Sequence, residues 1–176
     1  TATSLTITGA SALSSGAPQD IVSSYKDNST YLTTFNITTD VPVTFKKLHI
    51  QGGYAVDSSN PNGGGIKIAS GADVTLDEYT LVHDNYAICG AGIFNEGKLT
   101  VKTNTKIYGN TRDKTGGSLT PGGGGIYNYG ANAKVYIEGG EIYSNSAANN
   151  SANGGGIYNN SGSVFIYGAT NLGAQD

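Results

Sequence analysis

The chain has 176 residues, of which 27 are glycine, 12 are tyrosine and none is tryptophan or methionine. Only 13% of the residues are charged, the net charge is −3, and the sequence has no basic stripe, which excludes a nucleic-acid-binding surface because that needs clustered Lys and Arg. The abundance of Gly, Asn, Ser and Thr excludes a helical bundle, since these residues favour turns. No apolar run approaches the roughly 20 residues that cross a bilayer, so no membrane span is predicted in this segment.

The first 42 residues repeat poorly. Residues 4–7 (SLTI) and 31–37 (YLTTFNI) predict strands, whereas the polar stretch between them, through residues 19–20 and 27–28, predicts a loop. We therefore expect irregular N-terminal coils or a cap over residues 1–42, and regular repeats of one continuous solenoid over 43–176. Because the sequence ends within a repeat and solenoids have capped ends, more of the same polypeptide is expected after Asp176.

A glycine-rich motif recurs from residue 63 onward. Its copies begin at Gly63, Gly90, Gly123 and Gly154, at intervals of 27 to 33 residues, and three of them continue with an aromatic residue and Asn. The apolar positions that follow the copies are Val74 and Leu76, Leu99 and Val101, Val135 and Ile137, Val164 and Ile166, and then Val82, Ile107, Ile142 and Leu172. A degenerate earlier copy covers residues 43–50. Such short bursts of alternating residues predict strands, and their spacing predicts stacked coils.

The sequence thus predicts an all-β fold, a parallel β-helix with a single-stranded solenoid of three short strands per coil. Each strand would pair with its equivalents at about 4.8 Å, and Ile66, Ile93, Ile126 and Ile157 would touch in an interior row. The charges support the same alignment. One position carries Lys46, Asp77, Lys102, Glu138 and Tyr167 in successive coils, and Lys47 falls against Glu78 and Lys106 against Glu141. Opposite charges in adjacent strands attract, so these pairs mark the register.

Six asparagines predict two structural ladders along the solenoid. They are Asn85, Asn110 and Asn145 in one column and Asn95, Asn128 and Asn159 in the other. The first column is placed at a turn, where Asn tolerates left-handed backbone and can bond to the Asn one coil away. Two polar insertions, residues 111–122 and 146–153, occupy one point of the repeat and are expected to protrude from one corner.

The motifs GGGIYN and GAGIFN, with the Ile-x-x-Asn that follows, resemble the repeats of right-handed parallel β-helix proteins on bacterial surfaces. They are similar to adhesin-like proteins and, more distantly, to polymorphic outer membrane protein repeats. The resemblance covers about residues 43–176. It implies a right-handed coil and a stalk or passenger segment, extracellular or on the cell surface, that presents a long face to host tissue, polysaccharide or neighbouring cells.

The same fold hosts polysaccharide lyases and hydrolases, which need clustered carboxylates. The densest acidic group is Asp73, Asp77 and Glu78, with Asp84 nearby, and the predicted stack separates acids by lysines. We therefore expect no catalytic residue, cofactor or metal here. A polysaccharide-cleaving enzyme whose active site is incomplete or elsewhere in the full chain stays the alternative.

Histidine, arginine and cysteine often have catalytic or metal-binding roles, and none of them is predicted to have such a role here. His49 and His83 are expected to be separate surface or turn residues without a carboxylate at ligand spacing. Arg112 is expected in a loop beside Asp113, and the single Cys89 cannot form an intramolecular disulfide.

Outward aromatic rows are the feature that predicts a ligand. Alternation places Phe94, Tyr127 and Tyr158 in one row, Tyr108 and Tyr143 in a second, and Tyr136 and Phe165 in a third. Aromatic rows can stack on sugar rings, or they can simply stabilise a parallel sheet. The sequence predicts a non-enzymatic, adhesin-like segment whose partner is a glycan or host surface ligand, with binding residues Phe94, Tyr108, Tyr127, Tyr143 and Tyr158.

Overall fold

The fold is a parallel β-helix solenoid, seen in a computed structural model that describes residues 3–10, 20–24, 32–57, 61–112, 122–147, 154–168 and 170–173. Within these ranges the chain forms 19 strands and no helix. All strand pairs between neighbouring coils are parallel. The chain visits four stacked sheets in turn, which we number I to IV.

Sheets I and II follow one another in each coil. Sheet I contains β1 (Leu5–Thr8), β4 (Val43–Lys46), β8 (Asp73–Asp77), β12 (Lys98–Lys102), β16 (Lys134–Glu138) and β19 (Ser163–Tyr167). Sheet II contains β2 (Asp20–Ser23), β5 (Leu48–Gln51), β9 (Leu81–His83), β13 (Lys106–Tyr108) and β17 (Glu141–Tyr143). These two sheets carry the alternating apolar positions and the charged column that the sequence predicts.

Sheets III and IV complete the coil. Sheet IV contains β3 (Phe35–Ile37), β7 (Ile66–Ile68), β11 (Ile93–Asn95), β15 (Ile126–Tyr129) and β18 (Ile157–Asn160). Sheet III is short, with β6 (Tyr54–Ala55), β10 (Tyr86–Ala87) and β14 (Thr111–Arg112). Three coils therefore have a fourth, two-residue strand in addition to the three that the sequence predicts.

The predicted register is confirmed in the interior. Ile93 pairs with both Ile66 and Ile126, and Ile126 pairs with Ile157. Ile66, Ile93 and Ile126 are fully buried. Because each fully buried side chain of this size contributes about 1.5–3 kcal/mol, the isoleucine row is a main source of stability.

Both asparagine ladders are confirmed, but the predicted left-handed backbone at the asparagines is wrong. Positive φ occurs one residue earlier, at Asp84 (52°), Gly109 (62°) and Ser144 (48°). The turn at that residue directs the following Asn side chain into a line of amides. Asn85 Nδ2 donates to Asn110 Oδ1 at 2.9 Å, and Asn110 Nδ2 donates to Asn145 Oδ1 at 2.9 Å. In the second ladder, Asn95 donates to Asn128 and Asn128 to Asn159, both at 2.7 Å.

The ladder explains why the glycine motif recurs. A Cβ on Gly92 would lie 2.6 Å from the carbonyl oxygen of Gly125 and 2.9 Å from Asn110 Nδ2. Gly65 and Gly125 meet the same two obstacles in their own coils. Glycine is therefore required here because the next coil's backbone and the ladder amide occupy the space of a side chain.

The N-terminal residues include one strand that the sequence does not predict. Residues 20–23, assigned to a polar loop, form β2, in register with β5. The loop prediction is wrong because pairing with β5 places Val22 opposite Ile50 and against the apolar core. The division of the chain at residue 42 stays a prediction.

The two predicted insertions lie mostly outside the described residues, and so does Asp113. The start of the first insertion, Thr111–Arg112, is strand β14 of sheet III. Arg112 is only 3% exposed, and its Nε donates to the Ile88 carbonyl at 2.8 Å. The prediction of a loop arginine is therefore wrong.

Candidate functional site

The first predicted aromatic row is largely covered. Phe94 and Tyr127 point away from the isoleucine row, yet they are only 3% and 4% exposed. They pack edge to face at 5.4 Å in a cluster with Ile88 and Cys89. Burial is the main reason that the pKa of Tyr127 lies above its ordinary value. The two rings thus point outward as predicted but are covered, and half-buried Tyr158 packs against the same cluster.

The second row, Tyr108 and Tyr143, is half-buried on sheet II. Their rings stack at 5.3 Å with an interplanar angle of 5°, and His83 stacks on Tyr108 at 4.8 Å and 9°. Burial first, and then the nearness of Tyr143 and Asp84, raises the pKa of Tyr108. Since His83 and Tyr143 belong to the coils on either side, both faces of the Tyr108 ring are covered. This row stabilises the sheet and offers a sugar mainly ring edges.

The third row is the most exposed. Tyr136 and Phe165 stack at 4.9 Å and 14° on sheet I, and Tyr167 lies parallel to both within 8° at 6.4–6.5 Å. Phe165 keeps 37% of its surface exposed and Tyr167 keeps 52%. We call these three residues the aromatic cluster. Tyr167 escapes sequence reasoning as a ligand residue because its position in the repeat is otherwise charged.

A polar groove borders the aromatic cluster at the corner between sheets IV and I. It has a volume of about 370 Å³ and is lined by residues 70–73 and 96–98, with Asn132 and Lys134. Lys98 binds Asp73 at 2.9 Å, and its ammonium lies 5.9 Å from the centre of the Tyr136 ring. We call this feature the corner groove. Its volume is within the roughly 300–1,000 Å³ range of small-molecule sites.

Two charged groups of the corner groove are left for a ligand. Lys134 and Glu96 form no ion pair within the part of the chain that the structure describes. Lys134 is opposite Lys98 in the register, and Lys98 forms its ion pair with Asp73. The groove thus combines an ammonium, a carboxylate and turn backbone, which are groups that can bind hydroxyls.

The dense acidic group is bound to lysines of neighbouring coils, as the charge column predicts. Asp77 lies 3.4 Å from Lys46 and 3.6 Å from Lys102, and Glu78 lies 3.5 Å from Lys47. Burial alone would raise the pKa of Asp77, but the hydrogen bond from the Glu78 N–H and the two lysine charges outweigh it, so the pKa lies below its ordinary 3.8. The predicted pair of Lys106 and Glu141 is also formed, at 3.4 Å.

Two histidines form a contact that the sequence analysis misses. His49 Nδ1 and His83 Nε2 are 2.7 Å apart, and His83 Nδ1 is 2.7 Å from Asp84 Oδ2. The prediction of separate histidines without a carboxylate is wrong. The contact is diagonal, since His49 is opposite Leu81 and not opposite His83. The one available signal is the neighbouring Asp84 in the sequence.

Cys89 is buried, and burial raises the pKa of its thiol against a smaller opposing effect of the Arg112 charge. A raised pKa disfavours the reactive thiolate. Among the described residues, no group of three or more His, Cys, Asp or Glu side chains is placed to hold a metal ion.

No protein-family model, curated protein or solved structure matches the chain. Within the described ranges, the chain contains no helix with the length and apolar character needed to cross a bilayer.

Proposed function

We propose that this chain is a non-enzymatic, adhesin-like solenoid of a cell surface or secreted protein, and that it binds carbohydrate at the aromatic cluster and the corner groove. The observation that carries the proposal is the nearly parallel arrangement of half-buried Tyr136 with exposed Phe165 and Tyr167 beside a polar groove. The resemblance of the GGGIYN-type repeats to bacterial surface proteins supports the cellular setting.

The chemistry of the site suits a sugar. A pyranose ring has an apolar face that packs on an aromatic ring and a rim of hydroxyls that need hydrogen-bond partners. The aromatic cluster supplies the apolar surface. The corner groove next to it supplies polar partners, namely Lys134, Glu96 and Asn132.

The alternative, a polysaccharide-cleaving enzyme, has less support. Such enzymes need carboxylates that are free to hold calcium or to act as an acid and base pair. Asp73, Asp77 and Glu78 are each bound to at least one lysine. The densest acidic group therefore favours a binding surface over a catalytic one.

A glycan array followed by titration calorimetry tests the proposal. We expect Phe165→Ala and Tyr167→Ala each to weaken glycan binding about three- to tenfold, because one aromatic contact contributes about 0.5–1.5 kcal/mol. Tyr86→Ala is the matched control, since Tyr86 is 42% exposed but lies on sheet III. It should bind like the wild type.

Three results would contradict the proposal. The first is an array with no bound glycan, and the second is equal weakening by Tyr86→Ala. The third is cleavage of an acidic polysaccharide, with or without calcium, which would establish the enzyme instead.

A further inference from the structure

The charged residues on the outer face of sheet I form two columns that differ in their order. In one column, Asp77 lies between two lysines and binds both. In the other, which borders the corner groove, Asp73, Lys98 and Lys134 follow one another on β8, β12 and β16, so that two lysines are opposite each other. Among the strand pairs of the described ranges, no other lysine is opposite a lysine.

The Lys98–Lys134 pair has one carboxylate for two ammonium groups. Lys98 Nζ is 2.9 Å from Asp73 Oδ2, whereas Lys134 forms no ion pair with any residue that the structure describes. The other register partner of Lys134 is the neutral Ser163. Like charges on directly opposite residues are unfavourable. An anion between the two ammonium groups would remove this repulsion, so the pair is suited to an anionic ligand group.

The lysine pair is next to the aromatic cluster. Lys134 and Tyr136 are two residues apart on β16, so their side chains leave the same face of sheet I, about 7 Å apart along the strand. Ser163 and Phe165 have the same relation on β19. Lys98 Nζ lies 5.9 Å from the centre of the Tyr136 ring. A sugar that packs on the exposed Phe165 ring is therefore near both ammonium groups.

Nearby carboxylates restrict where an anionic group can lie. Asp73 is already bound to Lys98. Glu96, in the turn before β12, lines the corner groove, and Glu138 is two residues beyond Tyr136 on β16. Because these carboxylates repel an anion, the lysine pair is the favoured position for it. Glu96 and Glu138 can accept hydrogen bonds from sugar hydroxyls.

We propose that the glycan bound at the aromatic cluster and the corner groove is acidic, with a carboxylate or sulfate group at the Lys98–Lys134 pair and a sugar ring on the aromatic cluster. This inference rests on the proposed function and narrows it from carbohydrate in general to anionic carbohydrate. Carboxylate and sulfate oxygens both accept charge-assisted hydrogen bonds from ammonium groups. The choice of probes separates the two groups.

A glycan array that holds each acidic glycan beside its neutral form tests the inference. The matched probes are glucuronate-containing oligosaccharides with their carboxyl methyl esters, and sulfated galactose oligomers with their desulfated forms. We expect the wild type to bind acidic members of these pairs, and Phe165→Ala to weaken that binding. If neutral members bind equally well, the ligand need not be acidic, and the inference is wrong while the proposed function stands. If no glycan binds, the proposed function itself is wrong.

Titration calorimetry of Lys134→Gln with the acidic glycan from the array gives a second readout. This substitution should weaken binding about two- to fivefold, the size of one exposed ion pair, and molar salt should weaken binding by the wild type more than binding by the variant. Lys67→Gln is the matched control, because half-buried Lys67 is on sheet IV and forms no ion pair with a described residue. It should bind like the wild type.

Both substitutions remove one positive charge, which makes the comparison specific for position. Equal weakening by Lys67→Gln and Lys134→Gln would show an effect of net charge and would overturn the role of the lysine pair. Unchanged binding of the acidic glycan by Lys134→Gln would overturn it as well.

Discussion

Phe94 and Phe165 both point out of the solenoid, yet one is buried and the other is exposed. Phe94 on sheet IV is 3% exposed because Ile88 and Cys89 cover it, while Phe165 on sheet I is 37% exposed. Alternation along a strand separates the interior of a coil from its exterior. It does not say whether another part of the chain covers the exterior.

β19 is the last strand of sheet I, where even Ile166 is 51% exposed, but the difference also holds within one coil, since Tyr127 on sheet IV is 4% exposed and Tyr136 on sheet I is half-buried. This difference moves the candidate site from sheet IV to sheet I.

The largest expected change in the free energy of unfolding is for the buried ring, Phe94. Phe94→Ala removes a buried aromatic ring and should lower the free energy of unfolding by about 3–5 kcal/mol. Phe165→Ala is the matched variant and should cost no more than about 1.5 kcal/mol, mainly its stacking on Tyr136. Urea denaturation of both variants measures the difference. Similar losses would mean that the cover over Phe94 does not form.

The asparagine ladders give a second contrast, of intermediate size. Asn110 is fully buried, donates to the carbonyls of Val82 and Tyr108 and to Asn145, and accepts from Asn85. Asn110→Ala leaves buried backbone carbonyls without a donor, so we expect a loss of about 2–3 kcal/mol.

The exposed Asn159, which ends the second ladder, is the control. Asn159→Ala should cost about 1 kcal/mol, since Asn128 keeps the Ser163 carbonyl as an acceptor. The same denaturation experiment applies to both variants. If Asn110→Ala lowers the free energy of unfolding by no more than Asn159→Ala does, the buried position of Asn110 does not increase its contribution to stability.

Sequence reasoning succeeds where one repeat position determines the contact. The isoleucine row, both asparagine ladders and the pairs of Lys46 with Asp77 and Lys106 with Glu141 follow from stacking equivalent positions. Stacking coils in register brings equal positions together whatever the shape of the turns. These contacts therefore need only the repeat length.

The failures involve residues at different repeat positions. Strand β2 depends on β5 for its pairing, and its own four residues carry too weak a pattern to be recognised. The His49–His83 contact is diagonal. The cover over Phe94 comes from Val56, Ile88 and Cys89, in the segments that lead from sheet III to sheet IV. Each of these contacts depends on the course of the backbone through the turns between the sheets. The glycine and polar residues of those turns do not allow that course to be predicted from the sequence alone.

The smallest expected effect concerns the charged column on sheet I, the uncovered side of the comparison. At pH 7, Asp77→Asn should lower the free energy of unfolding by about 1 kcal/mol, because half-buried Asp77 binds two lysines that are themselves partly exposed. Glu138→Gln is the control and should change it by less than about 0.5 kcal/mol, since Glu138 has no ion pair among the described residues.

The lowered pKa of Asp77 determines how its contribution to the folding stability changes with pH. Its pKa in the folded protein lies below 3.8, so the unfolded state binds the proton first as the pH falls. The stability from Asp77 is complete well above its unfolded pKa and is lost as the pH falls through the folded value. The gap between wild type and Asp77→Asn should therefore shrink steadily in urea titrations at pH 7, 4.5 and 3.5, and molar salt should shrink it at pH 7. A gap that is constant with pH would show that Asp77 acts through packing or its hydrogen bond to Glu78, and not through its charge.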